Sequence, residues 1–108
     1  MDLNSYQKQA ISSAIYPGQG AFDGLIYTAL KLNGEAGEVA EKVGKAIRDG
    51  KKEDWEHLMV LELGDVLWYI AALAQELGYP LEIVALTNLQ KLERRKAQGT
   101  LQGSGDKR

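Results

Sequence analysis

The chain is 108 residues long, 44% hydrophobic and 26% charged, with a formal net charge of −2. That is the size and balance of one small globular domain, and the slightly acidic charge argues against a basic nucleic-acid surface and against attraction to an anionic membrane. No cysteine is present, which excludes disulfides, thiolate nucleophiles and thiolate zinc sites.

The opening stretch, Met1 to Ala10, is polar and has no apolar signal core, so a cytoplasmic protein is expected. Leu3, Tyr6, Ala10, Ile11 and Ala14 recur at three- and four-residue steps. They predict an amphipathic helix over residues 2–16, broken by Pro17-Gly18-Gln19-Gly20.

A second helix is expected from Asp23, as N-cap, to Asp49. Leu25, Ala29, Leu32, Ala36, Val39, Val43 and Ala46 alternate four- and three-residue steps, the pattern of a bundle seam. Gly34, Gly37 and Gly44 lie inside it, each costing about 1 kcal/mol relative to Ala. They are expected to mark the close approach of another backbone or local kinks. At ~1.5 Å per residue this helix is about 40 Å long, and its seam is expected to serve a second subunit.

The third helix, from Asp54 as N-cap to a stop at Gly78, contains the apolar run Leu58–Leu77. Glu62, Asp65, Gln75 and Glu76 interrupt that run, so a membrane span is not expected. Pro80 suits the first turn of a fourth helix reaching Gln98, with Leu81, Val84, Leu89 and Leu92 on its apolar positions. Residues 99–108, rich in glycine, form a tail read as a frayed terminus; the alternative is closure over bound substrate, bringing Lys107 or Arg108 to phosphate. With no strand pattern and no linker, the expected architecture is all-α, an antiparallel four-helix bundle over residues 1–98.

Glu62 and Asp65 lie three residues apart, on one face of the third helix. From Glu53 to Gln90 there is no Lys or Arg, and an unpaired carboxylate in an apolar setting costs roughly several kcal/mol. A cation must come from another helix or from a metal ion. Glu35 and Glu38 form a second pair at the same spacing, with Glu35 nearer the seam. If the second and third helices pack side by side, four carboxylates converge and add to the negative charge. Oxygen-rich acidic sites suit Mg²⁺ or Mn²⁺. The competing reading is surface ion pairing, Glu38 with Lys42, Glu41 with Lys45, and Glu35 back to Lys31.

Asn88, Lys91 and Arg95 share one face of the fourth helix. Such a row can grip phosphate; equally, it is a basic helix end favourable to the macrodipole. Lys42 and Lys45 are similar candidates. The aromatics Tyr6, Tyr27, Trp68 and Tyr69 lie on these helices, with Trp68 and Tyr69 read first as core or subunit contacts. His57 is the only histidine, so a di-iron bundle with a Glu-x-x-His pair from each of two helices is excluded. No phosphate-binding P-loop and no GxSxG elbow occur.

Gly34-Glu35-Ala36-Gly37-Glu38, followed by Glu62-Leu63-Gly64-Asp65, resembles the paired ExxE…ExxD signature of the all-α nucleoside triphosphate pyrophosphohydrolases, and most closely the MazG-like branch. Lys45-Ala46-Ile47-Arg48-Asp49, Asp65-Val66-Leu67-Trp68-Tyr69 and Asn88–Arg95 extend the likeness over nearly the whole chain. Gly34 stands where the fuller motif often carries a further acid. The resemblance implies Mg²⁺-dependent cleavage (Mn²⁺ being the alternative) of an NTP or dNTP to the monophosphate and pyrophosphate, by a homodimer or homotetramer. Glu35, Glu38, Glu62 and Asp65 would hold the metal, and Glu38 would act on the attacking water. Lys42, Lys45, Asn88, Lys91 and Arg95 would meet the triphosphate, and Gln7 the base. Neither nucleic acid nor membrane is implied as a partner. Two other readings stay open: a non-catalytic helical dimerisation module with buried salt bridges, and a same-fold enzyme acting on phosphoribosyl-ATP.

Overall fold

A computed structural model describes all residues, Met1–Arg108. It contains four α-helices and no strand: α1 Leu3–Ser12, α2 Phe22–Asp49, α3 Trp55–Glu76 and α4 Leu81–Gln98.

Asp2 caps α1 by accepting from the Ser5 backbone N–H at 2.7 Å, and this bond holds its carboxyl below the usual range. The helix stops at Ser12, short of the expected Tyr16. The Ser12 and Ser13 hydroxyls donate to the carbonyls of Gln9 and Ala10, and Pro17 forces Tyr16 out of the helical region. The N-cap of α2 is Ala21, not Asp23. The Gly18–Ala21 turn lies directly on the helix start, with Gly18 at φ 75° and its carbonyl against the place where a Cβ on Gly24 would stand. Only glycine permits that approach. Asp23 falls instead in the first turn, where its charge suits the macrodipole.

The 28-residue α2 is continuous through Gly34, Gly37 and Gly44. Beyond the helix's own backbone and the adjoining residues, no heavy atom lies within 4 Å of where a Cβ would stand on any of the three. The expected close approach to another backbone is therefore not met within the chain.

The pairing of α2 with α3 is antiparallel. The Trp55 indole N–H donates to the Lys42 carbonyl at 3.4 Å, Lys42 meets Glu62, and Glu35 meets Glu62 and Asp65. On its other sides α3 packs against α1 and α4, its small residues Ala71, Ala72 and Ala74 being fully or almost fully buried. By length and composition α3 is apolar enough for a membrane span, and much of that apolar surface, Val60, Leu61 and Leu63 included, is exposed in the single chain. Ala71, Ala74 and Leu81 form the core cluster, flanked by Tyr6 and Ile70.

The N-terminus of α4 has no local side-chain cap, because Pro80 occupies the N-cap position. Two of its orphan donors are satisfied from α1 instead. Leu81 N–H donates to Gln7 Oε1 at 2.9 Å and Glu82 N–H donates to Asn4 Oδ1 at 3.0 Å. Gln7 Nε2 also donates to the carbonyls of Ala71 (3.2 Å) and Tyr79 (3.1 Å). Buried Gln7 thus joins α1, α3 and α4 at one point.

No Cα of α4, or of α1, comes within 8 Å of α2, so the four helices do not close around one axis within a single chain. The radius of gyration is 16.5 Å, against about 13 Å for a closed domain of this length. Ten of the 108 residues are buried, while Leu30, Ile47, Val60 and Leu89 are each at least 60% exposed.

Candidate functional site

The antiparallel register of α2 and α3 brings three carboxylates together. Ligand atoms of Glu35, Glu62 and Asp65 all lie within 4.8 Å of one another. Glu62 and Asp65 reach this point from successive turns of α3, and Glu35 faces them from α2. One ion pair is made to the group: Lys42 Nζ is 3.5 Å from Glu62 Oε1, both side chains being at least two-thirds buried. With Lys31 also acting on Glu35, three acids still outnumber the cations and leave a net negative site. Burial raises the Glu35 carboxyl above its usual range; the Asp65 charge raises it further, and Lys31 opposes the shift. A compact, under-neutralised, all-oxygen donor set fits a hard divalent cation.

Glu38 is exposed, one turn along α2, and lies outside this cluster. The structure therefore gathers three of the four expected carboxylates. Lys42 crosses to Glu62 and does not pair with Glu38, whereas the Lys45–Glu41 pair forms within α2 at 3.6 Å, largely exposed.

Beside the acids opens a cavity of about 580 Å³, lined by Ser13, Ile15, Tyr16, Pro17, Tyr27, Glu35, Asp65, Trp68 and Tyr69. Its aromatic rings are packed on one another. Tyr16 stacks on Tyr27 (6.0 Å between centroids, 6° between planes). Trp68 meets Tyr16 edge-on at 6.2 Å and Tyr69 edge-on at 4.9 Å. Burial, first of all, raises the Tyr16 and Tyr69 phenols. Trp68 and Tyr69, expected as core or subunit contacts, line this cavity because they stand one turn beyond Asp65 on the same face of α3. The wall from Ser13 to Pro17 was not foreseen. Pro17 and the glycines after it signal only a break, and nothing local to them shows which face of α3 the loop will lie on.

The other expected ligands are placed elsewhere. Gln7 is buried and its amide is spent on the backbone of α3, α4 and their connection, so it is a tie between helices and not a contact to a base. Lys91 and Arg95 form no ion pair with Glu35, Glu62 or Asp65; α4 diverges from α2, and Asn88 on the same helix is exposed. No residue of α4 lines the cavity. The tail folds back onto that helix and is not frayed. Asp106 lies 3.3 Å from Lys91 Nζ and 3.5 Å from Arg95 Nη2, which holds its carboxyl below the usual range. Arg108 donates to the carbonyls of Thr100, Leu101 and Gly105.

An all-α chain with a net-negative carboxylate cluster opening onto an aromatic cavity suits a divalent cation beside a ligand with an apolar face. Residues 26–100 match the family model described as the MazG nucleotide pyrophosphohydrolase domain. The Gene 37 protein of Mycobacterium phage L5 is 46% identical over 115 aligned positions that cover the whole of both chains. No solved structure matches. The chain belongs to the MazG nucleotide pyrophosphohydrolase family, hydrolases acting on phosphoric anhydrides and generally dependent on a divalent metal.

Proposed function

We propose that the protein is a Mg²⁺-dependent pyrophosphohydrolase that converts an NTP or dNTP to the monophosphate and pyrophosphate. The observation that carries this reading is the convergence of Glu35, Glu62 and Asp65, under-neutralised, at the edge of an aromatic cavity. Held by those three carboxylates, Mg²⁺ (or Mn²⁺) would neutralise phosphate charge and acidify water.

The chain's own residues supply the rest. Tyr16, Tyr27, Trp68 and Tyr69 offer flat apolar faces to a base, and the acids at the cavity edge, once holding the cation, would direct the triphosphate end toward α2 and α3. Glu38 has no ion-pair partner and stands one turn from Glu35, suited to accept the proton of the water that cleaves the α–β anhydride bond. Lys42, between Glu62 and solvent, and Lys45, one turn further along α2, offer cations to the phosphates.

Homo-oligomerisation belongs to the same proposal. The open shape and exposed apolar side chains of α2, α3 and α4 leave faces for a second copy to cover. In such a dimer or tetramer Asn88 and Lys91 of one chain would meet the triphosphate held by another, while Arg95, buried and bonded to the Gly105 carbonyl, fixes the tail of its own chain. The proposed setting is the cytoplasmic nucleotide pool, with no nucleic-acid or membrane partner, and the catalytic domain would end with α4 at residue 98.

The Lys42–Glu62 pair favours a second reading, a non-catalytic module in which α2 and α3 are joined by a salt bridge. A panel of NTPs, dNTPs and phosphoribosyl-ATP with Mg²⁺, assayed for pyrophosphate, separates the readings. Release abolished by Glu62→Gln supports the enzyme, and no release on any substrate supports the module.

A further inference from the structure

The aromatic cavity is walled on one side by a loop with little of its own to hold it. Residues 14–21 contain Gly18 and Gly20, both at positive φ, and Gln19 bonds only within the loop, to the carbonyls of Ala14 and Tyr16. Every hydrogen bond from this loop to α3 ends on one carboxylate, that of Glu76. The Tyr16 hydroxyl donates to Glu76 Oε1 at 2.5 Å. The Gly20 N–H donates to Oε1 and Oε2 at 3.2 and 3.1 Å. The same oxygen lies 2.9 Å from where a Cβ on Gly24 would stand, against the first turn of α2. Glu76 is half-buried and forms no salt bridge; its charge is met by neutral donors and by the positive end of α2.

We infer that Glu76 is a positioning residue for the nucleotide cavity: by fixing Tyr16 and Gly20 it sets the aromatic wall against Tyr27 and Trp68, and so governs affinity for the base without touching it. This rests on the reading of the cavity as a nucleotide site. Glu76 stands eleven residues, three helical turns, beyond Asp65, so its effect on the acids is separable from its effect on the wall. Charge-assisted hydrogen bonds such as these are the strong ones, and the Tyr16 ring that stacks on Tyr27 carries its bond to Glu76 at the hydroxyl end.

The test uses the full-length protein, with Trp55→Phe as background so that Trp68 is the only indole. Glu76→Ala should raise KM for the best nucleotide about tenfold with kcat within about twofold, and Glu76→Gln, which keeps an acceptor for both donors, should restore KM to within about threefold. Tyr16→Phe combined with Glu76→Ala should be no worse than Glu76→Ala alone, because the two act through one bond. Mn²⁺ affinity, measured without nucleotide, should be unchanged in all variants, and Trp68 emission should shift in Glu76→Ala and recover in Glu76→Gln. A fall in kcat at constant KM, additive effects of the two substitutions, or unaltered Trp68 emission would each overturn the inference. A wild type that turns over no nucleotide overturns the reading of the site; Trp68 emission then still decides whether Glu76 positions the wall.

Discussion

Lys42 on α2 reaches across the helix pair to Glu62 on α3, Nζ to Oε1 3.5 Å, and passes over its own i−4 neighbour Glu38. The cation that α3 lacks thus comes from α2. It satisfies one acid of three, leaving Glu35 and Asp65 facing each other without an ion-pair partner. Lys42 therefore competes with a metal for Glu62 while offering charge to a phosphate. Replacing it with Gln should tighten Mn²⁺ binding several-fold and raise KM for the nucleotide by about tenfold. Calorimetric Mn²⁺ titration beside steady-state kinetics checks the two directions together; both parameters moving the same way contradicts the assignment.

The three acids should differ when neutralised in the metal-free protein. Asp65→Asn or Glu35→Gln relieves repulsion and should raise the melting temperature by about 2–4 °C, the size expected for roughly 0.5 kcal/mol in a domain of this length. Glu62→Gln also strands Lys42, and its melting temperature should stay within about 1 °C of wild type. With excess Mg²⁺ the order reverses, since wild type alone gains from the ion. Thermal melts with EDTA and with Mg²⁺ measure both. A large loss for Asp65→Asn without metal would mark a structural salt bridge.

Glu35 titrates above its unfolded value, chiefly through burial and then through the Asp65 charge. The folded state therefore binds this proton more tightly than the unfolded chain, so stability falls as pH rises from the ordinary glutamate value, about 4.3, through the raised folded value, and levels off above it. In the metal-free protein the stability difference between Glu35→Gln and wild type should grow over that window and shrink to zero below it. Denaturant titrations of both proteins between pH 4 and 7.5 give the difference directly. A pH-independent difference would show that Glu35 is not strained by its neighbours.

Gln7 is a structural residue, and its loss should be felt in folding. Gln7→Leu leaves the Leu81 N–H without its acceptor and the carbonyls of Ala71 and Tyr79 without their donor. A loss of about 2–3 kcal/mol is expected for buried groups left unsatisfied. Urea unfolding measures it, and kcat at a temperature where the variant is folded should remain within about twofold of wild type. Unchanged stability with a raised KM would return Gln7 to the base site.

Local signals located the helices well where they were local in cause. The periodic apolar steps of α2 and the apolar run of α3 survive as helices of 28 and 22 residues, and Gly99 ends α4 in the left-handed conformation. The end of α1 shifted for a local reason, the Ser12 and Ser13 hydroxyls bonding back to Gln9 and Ala10; two other ends are decided by neighbours: Ala21 caps α2 because the Gly18 turn lies on Gly24, and α4 is capped from α1. The same division holds at the site. Spacing along one helix was enough to unite Glu62 with Asp65, and Glu35 joined them because it lies nearer the seam than Glu38. Spacing alone did not foresee that α4 would diverge from α2, that Asp106 would fold back onto Lys91 and Arg95, or that Tyr16 would enter the cavity through Glu76, because each depends on how separate segments meet.

The most direct measurement is pyrophosphate release from a panel of NTPs and dNTPs by the purified protein, with Mg²⁺ and with EDTA, beside Asp65→Asn and Glu62→Gln. Release from at least one nucleotide in the presence of Mg²⁺ is expected, lost with EDTA and reduced at least about a hundredfold in each variant. Release that persists in EDTA or in both variants, or no release from any nucleotide, would contradict a metal-dependent site built on Glu35, Glu62 and Asp65.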